Sequence, residues 1–368
     1  MIYANHAGTS WPKAPGTAEA VHAALTGDPG ENAARYREAH AAIAAFLDLP
    51  APERLMLTPS CTSALALVLA DLPWQPGDAV VTSQLEHHAL ARPAQRLAAE
   101  RGVRHVVAPY RPDAPIDLDA VEAALRSGGV RLVAVTGASN ITGERLPIAE
   151  LTALAHAHGA QVLLDAAQLA GLVPLSIAAL GVDLVAFTGH KGMLGPLGIG
   201  GFWAAPHVAF ACPSAGCDVG GDAPPSSPYP GFCDVGSVNL PAAAGLAAAL
   251  RWLHAREPAL RRRPLELAQR LARECRQRPR CHVLGGDGAR TATVSMAIDG
   301  LPLERAQEHF RDRGVIVRAG QHCAPVALAA LGQPAGCVRV SFGADSAADD
   351  VDAVLAAIDA VATAPPAG

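Results

Sequence analysis

The chain has 368 residues, half of them hydrophobic and 17% charged, with a net charge of −5 and a pI near 6.3. That size allows two domains around a large core, and the charge balance gives no electrostatic case for nucleic acid or an anionic membrane. No basic segment followed by an apolar one opens the chain and no uninterrupted apolar run of about 18 residues occurs, so a cytoplasmic location is expected. The eight cysteines include no Cys-x-x-Cys pair, which argues against a zinc site and for reduced thiols that mostly fill buried space.

In chain order, residues 1–13 read as a short strand running into a turn of small residues, Asn5-His6-Ala7-Gly8-Thr9-Ser10-Trp11-Pro12-Lys13. The spacing of Val21, Ala24, Leu25, Ala41, Ile43, Phe46 and Leu47 predicts helices over 16–48, broken at Pro29-Gly30. Met56-Leu57-Thr58-Pro59-Ser60-Cys61-Thr62 reads as a strand, a polar turn and the start of an apolar helix. Unpaired N–H groups at such a start form a phosphate site, although an ordinary N-cap has the same appearance. Ala79–Ser83 is a further strand, followed by Glu86-His87-His88, where no third ligand stands at usable spacing for a metal.

Strands are predicted at 103–110 and 131–137, with an amphipathic helix near 117–126 between them. The second strand ends in Ser139-Asn140-Ile141-Thr142-Gly143, which taken alone fits a plain turn. A helix at 149–158 and a strand at 161–164 lead to Asp165. This alternation, from about 55 to 205, predicts an α/β fold with a mostly parallel sheet and helices on both faces. Residues 211–231 read as a loop and 241–279 as one long helix. Strands at 292–298 and 314–318 enclose a helix at 303–312.

Two apolar runs carry the chemical signal: Val162-Leu163-Leu164-Asp165 and Ala186-Phe187-Thr188-Gly189-His190-Lys191. Each delivers polar groups at a strand's carboxyl end, where open α/β sheets place their ligands. A lysine there is either a solvated strand end or a desolvated amine suited to carbonyl chemistry. A neighbouring Asp can hold a pyridinium nitrogen protonated, as pyridoxal phosphate requires, but the same two residues also fit a simple ion pair.

Asp165-Ala166-Ala167-Gln168, followed by Thr188-Gly189-His190-Lys191-Gly192 and Gly195-Pro196, resembles the class V aminotransferase family of pyridoxal phosphate (PLP) enzymes. Within it the likeness is to the cysteine desulfurases and selenocysteine lyases, and it runs from Asn5 to about Asp352. The resemblance implies a PLP-dependent transferase fold of type I. A large cofactor-binding domain would cover 16–240, and a smaller α+β domain 241–368, completed by the arm 1–15. It implies that Lys191 joins the cofactor and moves the substrate's α-proton, that Asp165 partners the pyridinium, and that Gln168 meets the phenolic oxygen. Cys61, Thr62, Thr188 and His190 would hold the phosphate. His87 would stack on the ring and be placed to shuttle a proton, and Asn140 would bind cofactor or substrate carboxylate. Asp234-Val235-Gly236-Ser237-Val238-Asn239 resembles the family's Glu-x-Gly-Thr-x-Asn, which implies a homodimer in which Ser237 reaches the neighbouring subunit's cofactor phosphate.

A Cys in a Gly-flanked loop beside His322 and five residues beyond Arg318 is a setting for a reactive thiol. Arg318-Ala319-Gly320-Gln321-His322-Cys323-Ala324 resembles the family's Arg-x-Gly-x-His-Cys-Ala, whose Cys accepts sulfur as a persulfide. Val338-Arg339-Val340-Ser341 resembles the strand whose Arg grips the substrate carboxylate, with Arg318 nearby, by the planar fork that Lys lacks. The implied activity is removal of sulfur from L-cysteine, giving alanine and a Cys323 persulfide for an acceptor protein. A C–S lyase, aminotransferase or epimerase acting on a specialised amino acid is the alternative. The chain departs from the family pattern at His6 and Gly8, at Leu328, where relatives place His, and over Phe342-Gly343-Ala344-Asp345-Ser346.

Overall fold

The computed structural model describes residues 1–210, 237–256 and 258–362, so the loop expected at 211–231 and Cys212, Cys217 and Cys233 lie outside the described residues. The first part of the chain runs β1 (Ile2–Tyr3), α1 (Thr17–Thr26), α2 (Asn32–Leu47), β2 (Leu55–Thr58), α3 (Cys61–Asp71), β3 (Ala79–Ser83), α4 (His88–Arg101) and β4 (Arg104–Ala108). Next come α5 (Leu118–Arg126), β5 (Val130–Thr136), α6 (Ile148–Ala157), β6 (Gln161–Asp165), α7 (Ile177–Leu180), β7 (Leu184–Thr188) and β8 (Gly200–Ala204). After the undescribed segment the elements are α8 (Leu240–Ala255), α9 (Pro258–Arg276), β9 (Cys281–Val283), β10 (Thr293–Ile298) and α10 (Leu303–Arg311). Then follow β11 (Val315–Ile316), β12 (Arg318–Gly320), α11 (Pro325–Ala330), β13 (Cys337–Ser341) and α12 (Ala348–Ala362).

Seven strands form one sheet in the order β2–β8–β7–β6–β5–β3–β4. All its pairings are parallel except those of β8, which runs antiparallel to both β7 and β2. The central runs are apolar almost throughout because helices cover both faces. Leu163, Val185 and Phe187 have no exposed surface, and each such side chain stabilises by about 1.5–3 kcal/mol. This topology brings the carboxyl ends of β5, β6 and β7 side by side at Thr136, Asp165 and Thr188.

The helix expected over 241–279 is two helices. Arg256 leaves the helical region at φ −74° and ψ 141°, and α9 restarts at Pro258. Proline suits the first helical position, where its missing N–H costs nothing. Arg256 also lies over the Trp252 ring at 4.4 Å and donates to Ala344 O, which fixes the corner. Through Ala243, Leu246 and Leu250, α8 packs into the same core as the large sheet, beside α1 and α2.

A second core gathers Leu271, Val294, Met296, Phe310, Val340 and Val354 around the antiparallel sheet β12–β13–β10–β9. The N-terminal arm belongs to both bodies. Ala4 is buried in the second core, β1 pairs with β11, and Ala14 N donates to Leu194 O on the first body. Among the described residues, no helix is long and apolar enough to cross a membrane.

Candidate active site

One cavity at the carboxyl ends of the central strands is lined by Cys61, Thr62, His87, Asn140, Asp165, Gln168, Thr188, His190 and Lys191. Nine residues proposed from sequence thus meet in one place.

Helix α3 starts at the cavity, with Ser60 as its cap: Ser60 Oγ accepts from Ser63 N and Ser63 Oγ from Ser60 N. Such a helix start offers N–H groups and a favourable dipole to an anion. Gly200 on β8 allows the close approach, since a Cβ there would lie 2.9 Å from Cys61 N.

At the end of β6, Asp165 Oδ1 accepts from Ala167 N at 2.9 Å and from Cys61 Sγ at 3.4 Å. Burial raises its pKa, and burial holds the Cys61 thiol well above the usual range, so Cys61 is a neutral donor. Beyond the phosphate role expected of Cys61, its thiol thus donates to the Asp165 carboxylate. Burial lowers the pKa of Lys191, opposed by the charge of Asp165. A buried amine of this kind is more easily freed of its proton, as a nucleophile or base must be.

His87 caps α4, its Nδ1 accepting from Ala89 N at 3.0 Å, and burial pulls it down to about 4. The ring is therefore neutral at pH 7 and carries its proton on Nε2. The residue before it, Glu86, was not singled out from sequence. It is buried, accepts from Ser83 Oγ at 2.5 Å and from Thr136 N, and is pushed up to about 8, chiefly by burial. Glu86 thereby ties β3 to the end of β5, from which the Asn140 turn departs.

Asn140 does more than face the cavity. Its Nδ2 donates to His322 O at 2.9 Å, and its backbone O accepts from Arg339 Nη1 at 3.1 Å. Arg339 is buried, reaches Asn5 Oδ1 with Nη2, and is pulled down to about 10 by burial. Arg318 stands opposite it in the β12–β13 register and is exposed. Cys323 is exposed, unlike Cys61, Cys275, Cys281 and Cys337. His322 and Cys323 both sit in the left-handed region, at φ 50° and 56°. Such conformations persist only where surroundings impose them. Here His88 N donates to Cys323 O at 2.8 Å, and the neutral His322 ring meets Cys337 O at 3.0 Å. Ser237 is exposed and does not line the cavity of this single chain.

Four atoms around the cavity are buried without a protein partner: Asn140 Oδ1, Gln168 Oε1, Thr188 Oγ1 and His190 Nδ1. Buried polar groups are ordinarily paired, so these fit a polar ligand. Gln168 Nε2 gives one bond to Ala7 O and retains a second hydrogen. A helix start, a carboxylate, an amide and a buried amine match in kind the phosphate, ring nitrogen, ring oxygen and aldehyde of PLP.

Residues 17–354 match the family described as Aminotransferase class-V. The chain belongs to that family. A probable cysteine desulfurase of Pseudomonas aeruginosa is 33% identical over 343 residues, 90% of this chain and 84% of the relative. The apo cysteine desulfurase from Thermococcus onnurineus NA1 superposes with a TM-score of 0.89 at 27% identity, covering 98% of this chain and 94% of that one. The cystine C-S lyase C-DES, solved with its product cysteine persulfide, shares the fold with a TM-score of 0.82 at 24% identity over 97% of this chain and 96% of that one. The class-V architecture is the α/β arrangement expected from sequence, and its cofactor is PLP.

Proposed function

We propose that this class-V enzyme is a PLP-dependent cysteine desulfurase that converts L-cysteine to alanine and leaves the sulfur as a persulfide on Cys323. The observation that carries this is the placement of the thiol. Cys323 is exposed on a loop pinned beside the cavity by His88 N, which donates to Cys323 O, and by Asn140 Nδ2, which donates to His322 O.

PLP, when bound, withdraws electrons from the substrate α-carbon and makes its proton removable. The chain's own residues do the rest. The α3 start with Cys61 and Thr62, together with Thr188 and His190, would hold the phosphate. Asp165, oriented by Ala167 N and the Cys61 thiol, would keep the ring nitrogen protonated, Gln168 would donate to the ring oxygen, and His87 would lie against the ring. Arg339 and Asn140, with Arg318 at the entrance, receive the substrate carboxylate. Lys191 Nζ takes the α-proton. Cys323 Sγ, as the thiolate, then attacks the substrate sulfur: an S–S bond forms as the C–S bond breaks, Cβ takes up a proton, Lys191 returns a proton to Cα, and alanine leaves. Ser237 contributes across a homodimer interface, and an acceptor protein removes the persulfide in the cytoplasm, where thiols stay reduced.

Product analysis with L-cysteine tests this. Wild type should yield alanine and sulfide under a reductant, and Cys323→Ala should yield neither. A C–S lyase reading is favoured by the altered substrate end at His6 and Gly343, and pyruvate from both proteins would establish it instead.

A further inference from the structure

The arm contributes a group to the active site that none of the site residues named above includes. The carbonyl of His190, which begins the peptide unit leading into Lys191, receives four donors from the arm. These are Ser10 N at 2.9 Å, Thr9 Oγ1 and Ser10 Oγ at 3.1 Å each, and Lys13 Nζ at 3.0 Å. Lys13 Nζ also donates to Thr9 Oγ1 at 3.2 Å and to Ser10 Oγ at 3.1 Å. An ammonium has three hydrogens, and here it has three acceptors.

We propose that Lys13 is a positioning residue for Lys191: its ammonium gathers the Thr9 and Ser10 hydroxyls and clamps the His190 carbonyl, fixing the backbone from which Lys191 projects. The other side of that backbone is already held. Leu194 N donates to Lys191 O, Gly195 N donates to Gly189 O, and a Cβ at Gly192 would lie 2.5 Å from Ala170 O. The arm therefore supplies the remaining constraint. Burial pulls Lys13 down to about 8, which leaves it mostly protonated at pH 7. The titratable groups that feel its charge are His6 and His190, both neutral through burial. Lys13 reaches Lys191 through the peptide geometry, and a lysine with no cavity contact would otherwise be a surface residue.

The inference rests on the reading of Lys191 as the catalytic amine, and its test separates the two. Amide hydrogen exchange is measured on cofactor-loaded wild type, Lys13→Met, Lys13→Arg and Thr9→Val, and steady-state turnover of L-cysteine on the same samples. In Lys13→Met, exchange at Ser10, Leu194 and Gly195 should rise about tenfold or more while β5 and β6 stay protected. This is the scale of one lost charge-assisted bond. Its kcat should fall about tenfold with KM within about twofold. Lys13→Arg should restore most of both, and Thr9→Val should show a smaller change in the same direction. Unchanged exchange in Lys13→Met would overturn the proposal, as would faster exchange spread over the whole protein. If Lys13→Met does not fold, wild-type exchange and kcat in Thr9→Val would overturn it equally. Absence of turnover in wild type would refute the desulfurase reading and leave the exchange result to decide the role of Lys13.

Discussion

Replacing Gly343 by Ala places a methyl group where the His6 ring already is. A Cβ at 343 would lie 2.1 Å from His6 Cε1 and Nδ1 and 2.7 Å from Cγ, whereas ordinary contact begins near 3.4 Å. The ring must retreat by roughly 1 Å or more, and it is tethered. Its Nε2 meets Tyr3 O at 3.1 Å, and it packs edge-on against the Tyr3 ring at 4.9 Å between centroids. Gly343 itself has no left-handed backbone, so alanine adds no conformational strain there. The cost is thus overpacking, about 1–3 kcal/mol. His6→Ala empties the same space, and the double variant His6→Ala/Gly343→Ala should recover about 1–2 kcal/mol relative to the sum of the single changes. Equilibrium urea unfolding of the four cofactor-saturated proteins measures this. Additive single effects, or a Gly343→Ala protein as stable as wild type, would refute the packing argument. Because His6 and Gly343 line a cavity with Lys191, Gly343→Ala should also raise KM for the substrate.

Arg339→Lys keeps the charge and loses the fork that reaches Asn140 O and Asn5 Oδ1, so KM for L-cysteine should rise about tenfold or more with a smaller change in kcat, read by steady-state kinetics. Glu86 is raised to about 8 in the fold, above its ordinary value of 4.5, so it favours folding in its protonated form. That stabilisation is fully present below about pH 4.5 and is lost as pH rises through about 8. Glu86→Gln should flatten the decline of unfolding free energy across that window, and an unaltered pH profile would show that Glu86 titrates normally.

The centre of the site was legible because its residues stand at the ends of apolar runs. Asp165 closes one buried strand, Thr188 another, and Lys191 follows within three residues, which marks a ligand end of the sheet; the family resemblance then separated a cofactor site from a simple ion pair. The α8–α9 corner was hidden by composition: alanine, leucine and arginine favour a helix on either side, and only Pro258 marks the restart. Contacts between distant segments left no local trace. His6 and Gly343 each depart from the family pattern, but nothing in the one suggests the other; their complementarity exists only once the arm lies on β13. Lys13 reads as an ordinary polar residue after a proline, and Glu86 as a neighbour of two histidines. The hydrogen bonds of Asn140 to the Cys323 loop and from Arg339 likewise depend on folded backbone. Ser237 differs in kind, since its proposed role needs a second copy of the chain.

The arm sets an order of events for the molecule's own synthesis. Ala7 N bonds Ser341 Oγ, residues 334 positions apart, and β1 pairs with β11 at Val315 and Ile316. Closing so long a loop is entropically unfavourable and slow compared with local pairing. The large sheet has all its strands by Ala204, so it can assemble while the chain is still emerging, with Asp165 already at its strand end. Residues 2–7 must wait for residues 315–341 before they can dock. A chain lacking β13 would keep the strand ends of the large sheet and Cys323 but not Arg339, and its arm would have no β13 to dock on. The carboxylate grip proposed for Arg339 would therefore form only once β13 has joined its sheet.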